Sequence, residues 1–335
     1  MRISARDRGS LLALIARFGR QRIGVAGDLV ADEFLHGEIS RVSREAPVLI
    51  LKQREKHIVP GGGANAANNL IEFGARVELA GVVGEDEAGD ALLDYFRQKG
   101  VSTRLIERCR DYTTPSKCRV LGGISHGHPQ QIVRVDREPM KPLDRPARRR
   151  LSLRLVPRLS RCSALLISDY GYGAIDAREA RHLQRLCRKA PVTVDSRYSI
   201  LGYNQLTAAT PNEPEIEAAF GERVDNSIES LNRLALRMLR MLSLQALVVT
   251  RGREGMALYE REKKPRSLPI FGTDQVADVT GAGDTVIAAF TLALAAGASF
   301  LDAAMLANCA GGLVVMKSGT ATVTAEELAG AIRNA

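Results

Sequence analysis

The chain has no tryptophan, and aromatic residues fill only 4% of its 335 positions. A platform for single-stranded nucleic acid stacks bases on aromatic rings, so that scarcity argues against one. Cysteine is sparse too: five residues, at 109, 118, 162, 187 and 309, with no C-x-x-C pair. Their odd number and scatter fit free thiols in a reducing compartment, not a disulfide framework. The five histidines are equally dispersed and form no zinc-ligand spacing. Long unbroken apolar runs are also lacking. The richest apolar region, 286–316, is interrupted by Gly297, Ser299, Asp302 and Asn308. It reads as two packed core helices and excludes a membrane span there. The Arg-rich, amphipathic stretch from Met1 to Arg22 lacks the long apolar region and small-residue cleavage site of a secretory signal. The expectation is a soluble, cytoplasmic protein with no membrane partner.

Charge is the one composition value away from the ordinary. Lys and Arg number 47 against 38 Asp and Glu, a net +9. The bases are spread along the chain, and their tight cluster is Arg145 with Arg148, Arg149 and Arg150. Nucleic acid is not expected; steering of an anionic small substrate is the use that fits. At 45% hydrophobic and 25% charged residues the chain is globular in composition, and long enough to bury a sizeable core.

The most informative stretch is Asp278-Val279-Thr280-Gly281-Ala282-Gly283-Asp284-Thr285, followed at once by apolar Val286 to Phe290. It reads as a small-residue turn feeding a buried helix. Gly281, Ala282 and Gly283 let their backbone N–H groups approach a ligand closely, and unpaired amides at a helix start form an anion site. Asp284 is then a carboxylate beside an anion hole, placed to take a proton from a hydroxyl that attacks a phosphoryl group. The plainer reading is a Gly-rich helix start with an ordinary first-turn acid.

Elsewhere the chain alternates strand and helix patterns, which implies a mostly parallel sheet covered on both faces. Buried-strand patterns end at Asp28 and Asp32, Asp169, Asp195, Asn212 and Glu215, and Thr250. The C-terminal ends of parallel strands share one edge, where such sheets bind ligands, so these residues converge with the Asp284 loop on one crevice. Asp28 and Asp32 suit sugar hydroxyls, or equally a turn and a helix cap. Pro60 to Leu70 is a glycine turn opening a helix rich in Ala and Asn. Asn68 and Asn69 there are expected to cap the helix or face water. Asn212 and Glu215 could hold Mg²⁺ through water, but their spacing favours a capping box. Two interruptions, about 34–56 and 113–136, lack helical period and read as a small β flap, with Gly122, Gly123 and Gly127 in a hairpin loop. The two-residue step puts Lys117 and Arg119 on one strand face.

These motifs together resemble the ribokinase-type, or PfkB, carbohydrate kinases over roughly residues 22–333. The residues that carry the resemblance are Asp278 to Thr285, Gly61-Gly62 with Asn65, and Asn212 with Glu215. It implies one doubly wound α/β domain over 1–335 with a small β lid, and a homodimer whose lids cover each other's sites. It implies Asp284 as general base and Gly281 to Gly283 as anion hole. Asn212 and Glu215 would organise Mg·ATP. Asp32, Gly62 and Asn65 would bind sugar, and Thr250, Gly252, Gly255 and Asn308 would lie along the nucleotide. Asp278 and Thr280 would neighbour a monovalent cation, K⁺ in relatives.

Within that family the chain resembles the D-glycero-β-D-manno-heptose 7-phosphate 1-kinases, which supply activated heptose for lipopolysaccharide. The stretches are Gly27 to Asp32, Ser40 to Val48, Ser168-Asp169-Tyr170 with Gly173, and Lys317 to Thr320. The resemblance implies a sugar-phosphate substrate whose phosphate meets Arg41, Lys117 and Arg119, with Asp28, Asp169 and Arg197 also on the substrate. Two positions depart from that pattern. Tyr172 stands where those kinases carry Lys before Gly173, and Ser196-Arg197 follow Asp195 in place of Pro-Lys. Another sugar or sugar phosphate, such as a hexose phosphate or ribose, is the alternative substrate. The rival from another class is a sugar-binding regulator on a degenerate kinase scaffold. The chain ends near residue 335, so the adenylyltransferase domain fused to some of these kinases is not expected in it.

Overall fold

A computed structural model describes residues 3–123, 130–141, 143–159, 161–187, 190–225, 227–272 and 277–335. Gly127 of the expected hairpin loop lies outside them. In chain order the elements are α1 (Ala5–Ile15), β1 (Arg22–Gly27), β2 (Leu29–Val42), β3 (Leu49–Gly61), α2 (Gly62–Glu72), β4 (Arg76–Gly84), α3 (Glu87–Gln98) and β5 (Leu105–Cys109). They continue with β6 (Ser116–Gly123), β7 (Gln130–Arg137), α4 (Arg145–Leu159), β8 (Ala164–Asp169), α5 (Ala177–Leu186), β9 (Val192–Ser196), β10 (Ala208–Ala209) and α6 (Glu213–Phe220). The last are α7 (Ile228–Met241), β11 (Ala246–Thr250), β12 (Met256–Glu260), β13 (Arg266–Leu268), α8 (Ala282–Ala295), α9 (Phe300–Val314) and α10 (Ala325–Arg333).

Nine strands form the main sheet in the order β13-β12-β11-β10-β9-β8-β1-β4-β5. From β5 to β11 all pairings are parallel; β12 and β13 add antiparallel pairings at one edge. Strand side chains alternate between faces, and two cores result. Along β8, Leu166 joins the core under α1, α2, α3, α8, α9 and α10. Its neighbours Leu165 and Ile167 join the core under α4, α5, α6 and α7. Both faces are thus buried, which is why these strands read as continuous apolar runs. The two helices expected in 286–316 are α8 and α9, buried along nearly their whole length. Among the described residues no helix is long and apolar enough to cross a membrane.

A second sheet, in the order β3-β2-β6-β7, is the lid. It is larger than the expected 34–56 and 113–136: β2 starts at Leu29, β3 runs to Gly61, and β7 ends at Arg137. The residues at the lid's base are buried, so nothing in their polarity marked where the lid begins.

Candidate active site

Asp284 sits in the first turn of α8, only 4% exposed. Its Oδ2 accepts from Asn65 Nδ2 at 2.9 Å, and its Oδ1 from the Tyr170 hydroxyl at 2.9 Å. Burial is the largest influence on its pKa and pushes it up to about 7, against the pull of those two donors. A carboxyl poised there has the strength a general base needs near neutral pH.

Asn65 is aimed by a relay. Asn69 Nδ2 donates to Asn65 Oδ1 at 3.1 Å and to its carbonyl at 2.9 Å, and the Thr285 hydroxyl donates to Asn69 Oδ1 at 2.8 Å. With its oxygen occupied by a donor, Asn65 turns its NH₂ to Asp284. Asn68 accepts from the Tyr95 hydroxyl at 2.9 Å. Asn68 and Asn69 are therefore buried and bonded, where capping or solvent was expected. The reason is packing: α2 is wedged between α8 and the lid strands, so its polar residues have no water to face.

The turn before Asp284 borders a groove, with the Ala282 N–H donated to the Val279 carbonyl at 3.2 Å. Gly281, with φ +76°, is the N-cap of α8 and supplies no side-chain cap. A Cβ on Gly281 would lie 2.5 Å from Asn65 Nδ2, so glycine is required there twice over. A Cβ on Gly283 would meet nothing within 4 Å; the space in front of it is a groove. Asp278 ties the turn down, accepting from Thr280 N–H at 2.9 Å and Gly319 N–H at 3.1 Å.

That groove is a cavity of about 210 Å³ lined by Thr250, Gly252, Gly255 and Asn308 together with Ala282 and Gly283. Met256, Ile270, Val279, Val286 and Val315 make apolar walls, and Arg253 is its charged lining residue. Asn308 donates to the Pro269 carbonyl at 2.8 Å. Sequence reading missed the apolar walls and Arg253, because isolated aliphatic residues on core elements carry no signal of a ligand.

On the sheet side, Asn212 and Glu215 form the capping box of α6: Asn212 Oδ1 accepts from Glu215 N–H at 2.8 Å and Glu215 Oε2 from Asn212 N–H at 3.0 Å. The Glu215 pKa is raised, chiefly by burial. Asp195 is raised well above the usual carboxylate range, first by burial and then by Glu215 and Asp284. Neither acid makes an ion pair with a described residue. Burial disfavours both anions, Glu215 adds to this at Asp195, and Arg197 pulls the other way on each; a hydrated divalent cation fits beside such a pair. Among the described residues no group of three or more His, Cys, Asp or Glu is arranged to hold a metal directly.

The lid brings the remaining charges. Asp32 Oδ1 accepts from Arg119 at 2.7 Å and Oδ2 from the Thr320 hydroxyl at 3.0 Å, with Asp32 only 4% exposed. The Lys117 ammonium lies 5.1 Å above the Tyr170 ring, its pKa lowered mainly by burial. Gly62, with φ +52°, packs against that ring: a Cβ there would be 3.1 Å from it. Arg197 is exposed and rests on the Tyr198 ring at 5.8 Å. Tyr170 and Thr320 are site residues that sequence reading left unassigned, although both stand in the quoted motifs.

Three expected substrate residues have other contacts or another place in this structure. Asp28 gives its carboxylate to the N–H groups of Tyr170, Tyr172 and Ala174 at 2.8–2.9 Å, shaping the loop after β8. Asp169 is likewise committed, to Gly171 N–H and the Ser196 hydroxyl. Arg41 is exposed near the lid tip, nine residues from Asp32 along β2, or about 30 Å at ordinary strand rise. It is not in this chain's own crevice.

Compared with known proteins, residues 32–327 match the model of the pfkB family carbohydrate kinases. The chain belongs to that family. As a pfkB carbohydrate kinase it is a phosphotransferase with an alcohol group as acceptor. Among curated relatives, "Bifunctional protein HldE" of Geobacter sulfurreducens is 40% identical over 97% of this chain and 66% of its own length. The protein of the same name from Pelobacter propionicus is 37% identical over the same shares. This kinase chain thus spans about two thirds of the length of those relatives. Among solved structures, an Arabidopsis thaliana ribokinase complexed with ribose and ATP superposes with a TM-score of 0.72 at 18% identity, covering 93% of this chain and 99% of that one. Phosphofructokinase-2 from Escherichia coli in complex with potassium gives 0.73 at 15% identity, over 94% and 98%. These likenesses carry the ribokinase-like fold.

Proposed function

We propose that this sugar kinase transfers the γ-phosphoryl group of ATP to the anomeric hydroxyl of D-glycero-β-D-manno-heptose 7-phosphate, giving the 1,7-bisphosphate. One observation carries the mechanism: a buried carboxyl with a pKa near 7, in the first turn of a helix whose uncapped start opens on a glycine-lined groove. Asp284 takes the proton from the attacking hydroxyl. The amides at Gly281 and Gly283 face the transferring charge, which a helix start stabilises, while the Ala282 N–H is spent on the Val279 carbonyl at 3.2 Å. Both carboxylate oxygens of Asp284 keep a second lone pair, so either can still accept the sugar hydroxyl. The nucleotide lies along Thr250, Gly252, Gly255 and Asn308, its base against the apolar walls. Glu215 and Asn212 are the residues that would hold a hydrated Mg²⁺, which would supply charge neutralisation for the phosphates. A monovalent cation beside Asp278 and Thr280 is part of the same proposal; turnover insensitive to K⁺ at constant ionic strength would remove it.

The heptose assignment rests on the resemblant stretches, on relatives named HldE, and on the lid cations. Lys117 and Arg119 stand over the crevice, where they suit a phosphate at the far end of the sugar. Arg197 at the mouth adds a third charge. Tyr172 replaces the Lys of the heptose-kinase pattern, and its hydroxyl donates to Glu138 at 3.1 Å, at the end of the lid strand β7. The test is ADP release with Mg·ATP and a panel of heptose 7-phosphate, fructose phosphates, ribose and free hexoses. The expected result is turnover on the heptose phosphate alone, with Tyr172→Lys lowering its KM. Turnover on a hexose phosphate or ribose instead would overturn the substrate. ATP binding without turnover on any sugar would favour a regulator.

We further read the enzyme as one domain that works as a homodimer. Val42, Val48, Leu49, Ile132, Val133 and Val135 on the lid are exposed large apolar residues, and β3 and β7 are open edges. Exposed edges and apolar patches of this kind mark association. A lid crossing to a second copy would also bring Arg41 within reach of a site. Sedimentation should give twice the mass of the chain, and Val133→Glu with Val135→Glu should halve it; a monomeric wild type would refute this.

A further inference from the structure

Tyr170 is the aromatic side chain at the centre of the site, and nothing above gives it a role. Its hydroxyl donates to Asp284 Oδ1 at 2.9 Å. Its ring carries the Lys117 ammonium 5.1 Å from its centroid. Its own backbone N–H is pinned to Asp28 Oδ2 at 2.8 Å, and the ring is wedged against Gly62, where any Cβ would press on it. The ring is therefore fixed from the body of the protein and touches two working groups at once. From these contacts we propose that Tyr170 is a positioning residue that sets the geometry and base strength of Asp284 and, through its ring face, holds Lys117 in place for the anionic end of the sugar.

The inference rests on the kinase mechanism above and deepens it. It gives the otherwise unexplained loop acid Asp28 a purpose: its three amide contacts set the loop from which the tyrosine projects. It also explains how a carboxyl this buried is kept ionisable near neutral pH. The groups facing Asp284 are Tyr170 from the end of β8, Asn65 from α2, Asp32 and Lys117 from the lid, and Asp195 from β9. Asp32 and Asp195 disfavour its anion, while Asn65, Tyr170 and Lys117 favour it. Two of those three, Tyr170 and Lys117, also contact each other.

A hydrogen bond from a neutral donor to a charged acceptor corresponds to about one pH unit or somewhat more. The kcat/KM profile reports ionisation in the free enzyme, whose acidic limb should lie near pH 7 in the wild type. Tyr170→Phe keeps the ring and removes the hydroxyl. The limb should then move up by about one unit, with activity at pH 7 reduced about fivefold and KM for the sugar phosphate unchanged. Tyr170→Leu should add a rise in KM by loosening Lys117. Replacing Tyr170 by a fluorotyrosine, whose hydroxyl is a stronger donor, preserves the fold and should move the limb down instead. An unchanged limb in both the Phe and fluorotyrosine proteins overturns the proposal. No ADP release from the wild type at any pH is the distinct outcome that overturns the underlying kinase reading.

Discussion

Asp284→Asn should lower kcat by about 10²- to 10⁴-fold, the range for a lost general base, while the protein folds and binds both substrates. The variant isolates charge from shape. Asparagine is isosteric and can still accept from Asn65 or Tyr170, so the buried network survives. Folding should gain, since the wild-type carboxyl is buried at a cost that raises its pKa to about 7. The linkage sign follows: an acid with a raised folded-state pKa favours the native state when protonated. Its penalty grows as pH rises from the unfolded value near 4 to about 7. The variant should therefore be at least as thermostable as wild type at pH 8, and the gap should close toward pH 4. Thermal melts at the two pH values with single-turnover ADP formation check both halves. Near-wild-type turnover would remove Asp284 from the chemistry.

How much of this was legible depended on whether a residue's role is set locally. The 278–285 turn was readable as a helix start because its shape is set locally: small residues, a helix start and an acid are all adjacent in sequence. The doubly wound sheet was readable because fully buried parallel strands and amphipathic helices have different periods. A strand-end acid is a different case. Sequence places Asp28, Asp169 and Asp195 on one edge, but the direction of each carboxylate depends on which amides the following loop offers. Asp28 and Asp169 turned to backbone for that reason. The short strands β12 and β13 and the last helix, α10, passed unremarked, since a three- to five-residue edge strand has too little period to show. Asn212 and Glu215 read as a capping box, and they are one; Glu215 stands near Asp195 only through the fold. Arg41 shows the limit of alternation: register gives the face of a strand, whereas reach requires the length of the lid and its irregularities after His36 and Ile39.

Asp32→Ala should have the second large effect, on stability and sugar binding together. The Asp32–Arg119 pair is 2.7 Å long with side-chain exposures of 6% and 11%, so solvent hardly screens it. Removing one partner of such a pair leaves a buried, uncompensated charge, and the usual loss is about 3 kcal/mol or more. For a chain of this size that is a fall of several degrees in Tm. Removing both partners, in Asp32→Ala with Arg119→Leu, should recover part of it, because the orphaned charge is gone. Catalysis should behave differently. If Asp32 accepts from sugar hydroxyls and Arg119 meets the phosphate, each single variant raises KM by about tenfold or more, the worth of a charged hydrogen bond. The double variant then regains stability without regaining KM. Recovery of KM along with stability would mean that the pair only braces the lid against the Thr320 loop, and that the sugar is held by other residues.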